Sequence, residues 1–465
     1  MRNRLRSPSR THRYGLATLV SAGLLVALGL LLVAKNMAPA LHVDTNAFYC
    51  GARVLASGAD PYRFQPLHTC EAQNLPMGRT EVVPMPLPPF AVAMLFPLSL
   101  LPFSAANFVW LLLILLSASV IVLALVNLTG LPAGLVGVLV AAGTLVEPLA
   151  NGAMAPLPIA LLCAAAIALT RSRYIVAAIL LALACIQPHV ALPPMVAIFV
   201  LVPRMRILLV GVCAAIAALS LAFGVSMNLE YFTTVLPLHA VSEFGSSNQY
   251  SFSAFLHLIG VPDRTAIATG TIQYALFGLF GVLLAGALHR RIPGSLVLAP
   301  LACAVTGGTF IHQTEIVGAL PFALTVAAAV QTAATWFAVV LIALPLEYVI
   351  DWGGTWIVGL VIALVLTYRK CVGWLGATVV GLIVSVTLSL ANRLWPLAVT
   401  NVAPGAVPDD AFSELPWKVM QNNLPPGNAF WWLTHTATYL GLALLFLGAL
   451  KVMRERASHN AFGRL

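Results

Sequence analysis

The residue with most chemistry to offer stands in the string His42-Val43-Asp44-Thr45-Asn46-Ala47-Phe48-Tyr49-Cys50-Gly51-Ala52-Arg53, just beyond an apolar run that ends near residue 38. A carboxylate held where water meets lipid can take a proton from a hydroxyl group while that oxygen attacks an electrophilic carbon. A plainer role competes, because Asp is a good helix N-cap and a helix over residues 44–56 would begin on it. On such a helix Phe48, Ala52 and Leu55 share an apolar face expected to lie on the bilayer. Gly58 would stop it, and Asp60-Pro61 would open a turn.

Other polar residues interrupt apolar surroundings. His312, in Thr309-Phe310-Ile311-His312-Gln313-Thr314-Glu315, can bind an anion or orient a substrate, or cap a helix end. Glu147 and Asn151 sit at the end of an apolar run, where ionisable groups are candidates for function or for a hydrogen-bonded structural pair. His189, His239, Glu243, Asn248, Gln249 and Ser251 can line a polar site or lie in solvated loops. Arg53, Arg63 and Arg393 are the cations that could pair with a phosphate. Cys50 and Cys70 share one loop, either as a disulfide or as two free thiols. Asp409 and Asp410 are adjacent rather than spaced as Asp-x-Asp, and no His/Cys cluster appears, so neither a metal ion nor a cofactor is expected.

The elements that must position these groups follow from composition. Of 465 residues 60% are hydrophobic and 8% charged, with a formal net charge of +9 and a mean hydropathy of +0.95. A soluble globular chain carries roughly 25% charge, so a water-soluble enzyme, a disordered protein and a coiled coil are excluded. The basic residues gather in short knots rather than in a nucleic-acid footprint. These are Arg2–Arg13, Arg171/Arg173, Arg204/Arg206, His289–Arg291, Arg369/Lys370 and Lys451–Arg456. Under the positive-inside rule such knots mark cytoplasmic ends.

Apolar runs near 15–38, 173–187, 189–202, 206–226, 268–288, 295–310, 313–333, 334–350, 353–368, 372–390 and 429–451 then read as spans, the first an uncleaved one. Between residue 85 and Arg171 four runs (86–101, 104–126, 131–147 and 155–170) compete for three crossings, with about 12–14 spans in all. Residues 39–85, 227–267 and 391–428 fall outside the cytosol, as extracytoplasmic segments of a single transmembrane domain over 1–465. Trp417, Trp431 and Trp432 read as interfacial belt residues.

The first loop also resembles that of glycosyltransferase family 87. Asp44, Phe48, Tyr49, Ala52, Gly58, Asp60, Pro61 and Tyr62 fall in the order of the family's pattern, and Pro88 and Pro89 match its proline-rich approach to the next span. Leu87 stands where a tyrosine is usual, and Gln187 where members often carry a lysine before proline. The resemblance implies an all-α polytopic GT-C-like fold with short interfacial helices in the extracytoplasmic loops. It implies Asp44 as catalytic base; with the residue readings above added, the expected substrate site draws on Tyr49, Arg53, Asp60, Tyr62, Glu147, Asn151, His189, His239, Asn248, His312 and Arg393.

It further implies transfer of one sugar, mannose first, with inversion, from a polyprenyl-phosphate donor to an envelope glycolipid or glycan. The enzyme would sit in the plasma (inner) membrane with its active site on the extracytoplasmic face and the bilayer, not nucleic acid, as surroundings. A transporter or flippase of a lipid-linked or small substrate is the alternative. A transporter calls for charged residues at mid-membrane and paired broken helices, whereas here the polar residues gather at one face and no internal repeat is visible.

Overall fold

A computed structural model describes residues 42–246, 248–345, 355–394, 405–421 and 429–462. The expected first span at 15–38, the first basic knot and parts of the third loop segment lie outside the described residues. Among the described residues every regular element is a helix, and strand pairing is limited to two isolated bridges.

Six helices are long and apolar enough to cross a membrane: Phe103–Thr129, Pro203–Leu221, Asp263–Leu288, Gln313–Val330, Trp374–Ala391 and His435–Arg454. Shorter apolar helices fill the rest: Ala133–Thr144, Pro156–Thr170, Tyr174–Ala184, Pro188–Leu201, Ser295–Ala304, Ala333–Ala343 and Thr355–Tyr368. The chain is therefore an all-α multi-pass membrane protein. The ambiguous run at 86–101 folds as Pro89–Met94 and Phe96–Ser99, of 6 and 4 residues. Neither approaches the roughly 20 residues of a span, so Phe103–Thr129, Ala133–Thr144 and Pro156–Thr170 link the first loop to Arg171.

Small residues let the helices close on one another, as packing within lipid requires. A Cβ on Gly281 would come within 2.7 Å of Pro300 Cα, and one on Gly359 within 2.4 Å of the Gly381 carbonyl oxygen. The interior is filled by a contiguous apolar cluster that includes Trp110 and Trp336.

In the first loop the helix begins at Val43, with His42 in the left-handed conformation (φ 74°) at the cap position. Asp44 therefore sits in the first turn rather than capping it, and its carboxylate has no hydrogen-bond partner among the described residues. The apolar face packs on protein instead of the expected bilayer. Phe48 lies 5.7 Å from the Trp110 ring, and Ala52 and Leu55 are buried in the main cluster.

A Cys50–Cys70 disulfide joins this helix to Phe64–Asn74. Asn46 Nδ2 donates to Glu71 O, and Asn74 Nδ2 to Asn46 Oδ1, on the same seam. The Asp60-Pro61-Tyr62 turn is closed internally. Asp60 accepts from the Tyr62 amide at 3.0 Å and from Arg63 Nε at 2.8 Å, while the Tyr62 hydroxyl donates to Leu87 O at 2.7 Å.

The start of the Asp44 helix is docked onto the short helix Val146–Asn151. His42 N donates to Ala150 O at 3.0 Å, and Trp110 Nε1 to Gly152 O at 2.7 Å. Gly152 ends that helix at φ 83°, where a Cβ would stand 1.9 Å from Thr45 Oγ1 and 3.0 Å from Thr45 N. Gly152→Ala should therefore lower the thermal unfolding midpoint of the detergent-solubilised protein by several degrees more than Gly130→Ala. Gly130 has a similar φ of 68° with nothing within 4 Å, so its substitution meets only backbone strain of about 1–2 kcal/mol. Equal losses would show that the docking seam tolerates a side chain.

Candidate active site

A cavity of about 210 Å³ opens where the first turn of Val43–Ala56 meets the stretch 83–87 and five further segments. These are Val146–Asn151, the amino end of Pro188–Leu201, the stretch around Leu236–Ser242, the junction before Gln313, and Glu414–Gln421. Asp44, Glu147, Asn151, His189, His239, Asn248 and His312 all line it, so residues dispersed over most of the chain converge. Tyr49, Arg53, Asp60, Tyr62 and Arg393 do not. The Tyr49 hydroxyl donates to Leu101 O and accepts from Arg53 Nη1 on another side of the helix. Asp60 and Tyr62 are committed to their turn, and Arg393 is exposed at the end of Trp374–Leu394.

The junction carrying His312 is held by backbone pairing. Gln249 and His312 form an antiparallel bridge, Tyr250 N donates to Ile311 O at 2.6 Å, and Gln313 N donates to Asn248 O at 3.0 Å. The Gln249 side chain adds a bond from Ile311 N at 2.6 Å. His435 Nε2 reaches Gln249 O at 3.1 Å, tying in the helix Ala429–Phe462.

Four carboxylates and three imidazoles face this space. His312 Nε2 lies 3.3 Å from Glu243 Oε2, and Trp417 Nε1 donates to the other Glu243 oxygen. His189 Nε2 lies 2.9 Å from Glu315 Oε1, which also accepts from Gln187 Nε2, while Glu315 Oε2 accepts from His312 N. Gln313 Nε2 donates to Glu147 Oε2 at 2.9 Å. Three of the four carboxylates are thus saturated or partly so, and Asp44 is left with its lone pairs free.

The electrostatics follow from this arrangement. Burial raises the Asp44 carboxyl to about 6; the charge of His312 opposes the rise and that of Glu243 adds to it. Burial works against the His312 imidazolium, but the hydrogen bond and charge of Glu243, with Glu315 and Glu147, outweigh it and keep the ring protonated well above neutrality. Burial would likewise raise Glu243, yet His312 pulls it below the usual carboxylate range. His239 is lowered to about 4 by burial, against the opposing charge of Glu243, and is a neutral ring.

No lysine or arginine lines the cavity among the described residues, so His312 is its positive charge. Sequence reasoning looked for that charge on Arg53, Arg63 and Arg393 as well as on His312. It also left Glu243 as a loop residue, gave Trp417 to the interfacial belt, and passed over Glu315, Phe310 and Tyr231. The signal available for Glu315 was its position three residues after His312, the spacing of a capping box. Among the described residues no group of His, Cys, Asp and Glu is arranged to hold a metal ion.

Residues 87–314 match the model of Glycosyltransferase family 87. No curated protein and no solved structure matches the chain. The matched stretch begins beyond the loop that carries Asp44, so it supports independently the resemblance read from that loop. It contains Glu147, His189, His239, Glu243 and His312. The chain carries a family 87 domain and is a glycosyltransferase.

The Glu243–His312 pair generates a direct test. Glu243→Gln removes the charge that holds the imidazolium, so the His312 ring should begin to titrate in or below the neutral range. Ring-labelled histidine NMR would follow this, with His312 assigned by its loss in His312→Gln. A His312 signal unmoved by Glu243→Gln would show that the pair does not set the charge.

Proposed function

We propose that this family 87 glycosyltransferase moves a single sugar, mannose being the one implied by the first-loop resemblance, from a polyprenyl-phosphate donor to a glycolipid or glycan acceptor, with Asp44 as general base. The observation that carries this reading is the unpaired Asp44 carboxylate, raised to about 6, on one wall of a cavity whose positive charge is His312. A base that is ionised at neutral pH yet close to its midpoint suits proton transfer. In the reaction Asp44 takes the proton of the acceptor hydroxyl. That oxygen bonds to the anomeric carbon from one face, the carbon–oxygen bond to phosphate breaks on the other, and the phosphate leaves with the electron pair. The configuration inverts.

His312 is suited to receive the negative charge that grows on the departing phosphate, a role open to a preorganised cation in a dry site. Gln187, where a lysine is usual, directs its amide to Glu315 rather than offering a charge, consistent with the burden falling on the imidazolium. Phe48, Leu87 and Met154 give the cavity an apolar side compatible with a lipid-borne donor.

The placement of charge supports an extracytoplasmic site. Cavity residues precede Pro156–Thr170, Pro188–Leu201 and Gln313–Val330, whereas the knots Arg171/Arg173 and Arg204/Arg206 follow the first two of these. Arg369 Nη1 bonds Gln331 just past the third. Basic knots and cavity therefore occupy opposite helix ends, as the positive-inside rule asks of an outward-facing site. The Cys50–Cys70 disulfide suits the same oxidising side.

Asp44→Asn tests the reading. Asp44 makes no bond that the amide would break, so the variant should insert and unfold like the parent protein. Transfer from radiolabelled polyprenyl-phosphate mannose to a lipid extract should fall about 10²–10⁴-fold, the usual worth of general-base catalysis. Near-normal transfer by folded Asp44→Asn would remove the base from this account.

A further inference from the structure

We infer that the far end of the bundle binds the phosphate headgroup of an anionic phospholipid, in a pocket formed by Thr170, His289 and the amino end of Ser295–Ala304. The pocket holds about 130 Å³ and is separate from the cavity around Asp44 in every lining residue.

Ser295 lines it, is 0% exposed, and has a hydroxyl with no hydrogen-bond partner among the described residues. A buried hydroxyl left unsatisfied is costly, and a ligand oxygen would remove that cost. The ten-residue helix begins here, after Gly294 at φ 80°. Its amides at Ser295 and Val297 already bond Ile292 O and Gly294 O, which leaves the Leu296 N–H without a backbone partner among the described residues. An amino-terminal helix end with a free amide favours an anion.

His289 Nδ1 lies 2.8 Å from Gly286 O. Because a carbonyl only accepts, Nδ1 carries the hydrogen and Nε2 is the ring nitrogen left for a ligand. Arg290 and Arg291 follow His289, Arg171 and Arg173 follow Thr170, and all four are exposed. Basic pockets between transmembrane helices on this kind of face take lipid headgroups.

Lipid rather than free phosphate is favoured by the rim. Leu169 and Leu296 line the pocket and are half-buried, giving acyl chains an apolar surface beside the polar group. The inference stands apart from the proposed sugar transfer, since it uses no residue of that site.

The test uses the purified full chain, stripped of lipid in detergent and titrated with phosphatidylglycerol, phosphatidylcholine or inorganic phosphate. Bound ligand is read by native mass spectrometry and stabilisation by thermal unfolding. Phosphatidylglycerol should bind more tightly than phosphatidylcholine. Ser295→Ala and His289→Gln should each weaken it about 10-fold, as expected for losing one hydrogen bond to a charged group. Arg204→Gln, in an exposed knot away from the pocket, should bind like the parent protein.

Undiminished binding by both pocket variants would overturn the inference. So would an equal loss in Arg204→Gln, which would mean diffuse charge attraction, and so would equal stabilisation by inorganic phosphate alone. Should Ser295→Ala fail to fold, His289→Gln decides alone, because its side chain is exposed.

Discussion

The buried pair between Glu243 and His312 is the interaction on which the cavity around Asp44 depends. Four carboxylates share a wall that no lysine or arginine among the described residues lines, and unpaired charges in such a place would be neutralised or would unfold the site. One imidazolium answers them. It bonds Glu243 directly, its backbone amide bonds Glu315, and its charge reaches Glu147 and Asp44. Removing a single partner of a buried pair leaves the other uncompensated, so the ring, Glu243 and the indole of Trp417 stand or fall together.

That coupling explains how distant segments serve one site. Trp417 brings the helix Glu414–Gln421 to Glu243, and Arg63 bonds Glu230 and stacks on Phe412. These contacts draw the first loop, the stretch before His239 and the third segment over the same opening. The helices beneath contribute mainly their ends, where backbone groups are free and irregular chain is covered by protein. The opposite helix ends carry the basic knots, so the cavity and the knots lie apart along the helices.

Much of this was legible in the sequence. Hydropathy and the basic knots gave the helix order because a span in lipid must satisfy its own backbone and be apolar for its length. Glu147, His189, His239 and His312 were noticeable because polar residues amid apolar runs are expensive. What was hidden depends on three-dimensional pairing. Nothing local distinguishes Glu243, bonded to His312 and Trp417, from a solvated loop glutamate. Nor does anything local show that the face of Phe48, Ala52 and Leu55 meets Trp110 and core rather than lipid, whereas the bond of Arg53 to the Tyr49 hydroxyl is an i, i+4 pair that helix spacing already allows. Parity limited the number of crossings between residue 85 and Arg171, but nothing countable showed that the run at 86–101 would fold as short helices broken around Leu95.

In the proposed reaction Asp44 is a base whose ionisation is set by its dry surroundings. The decisive measurement is the pH dependence of a single turnover, with enzyme in excess over donor and acceptor saturating. Because burial raises this carboxyl to about 6, the rate should be level above that value and fall about tenfold for each further unit of acidification. A rate that stays flat well below pH 6, or that rises on acidification, would contradict it.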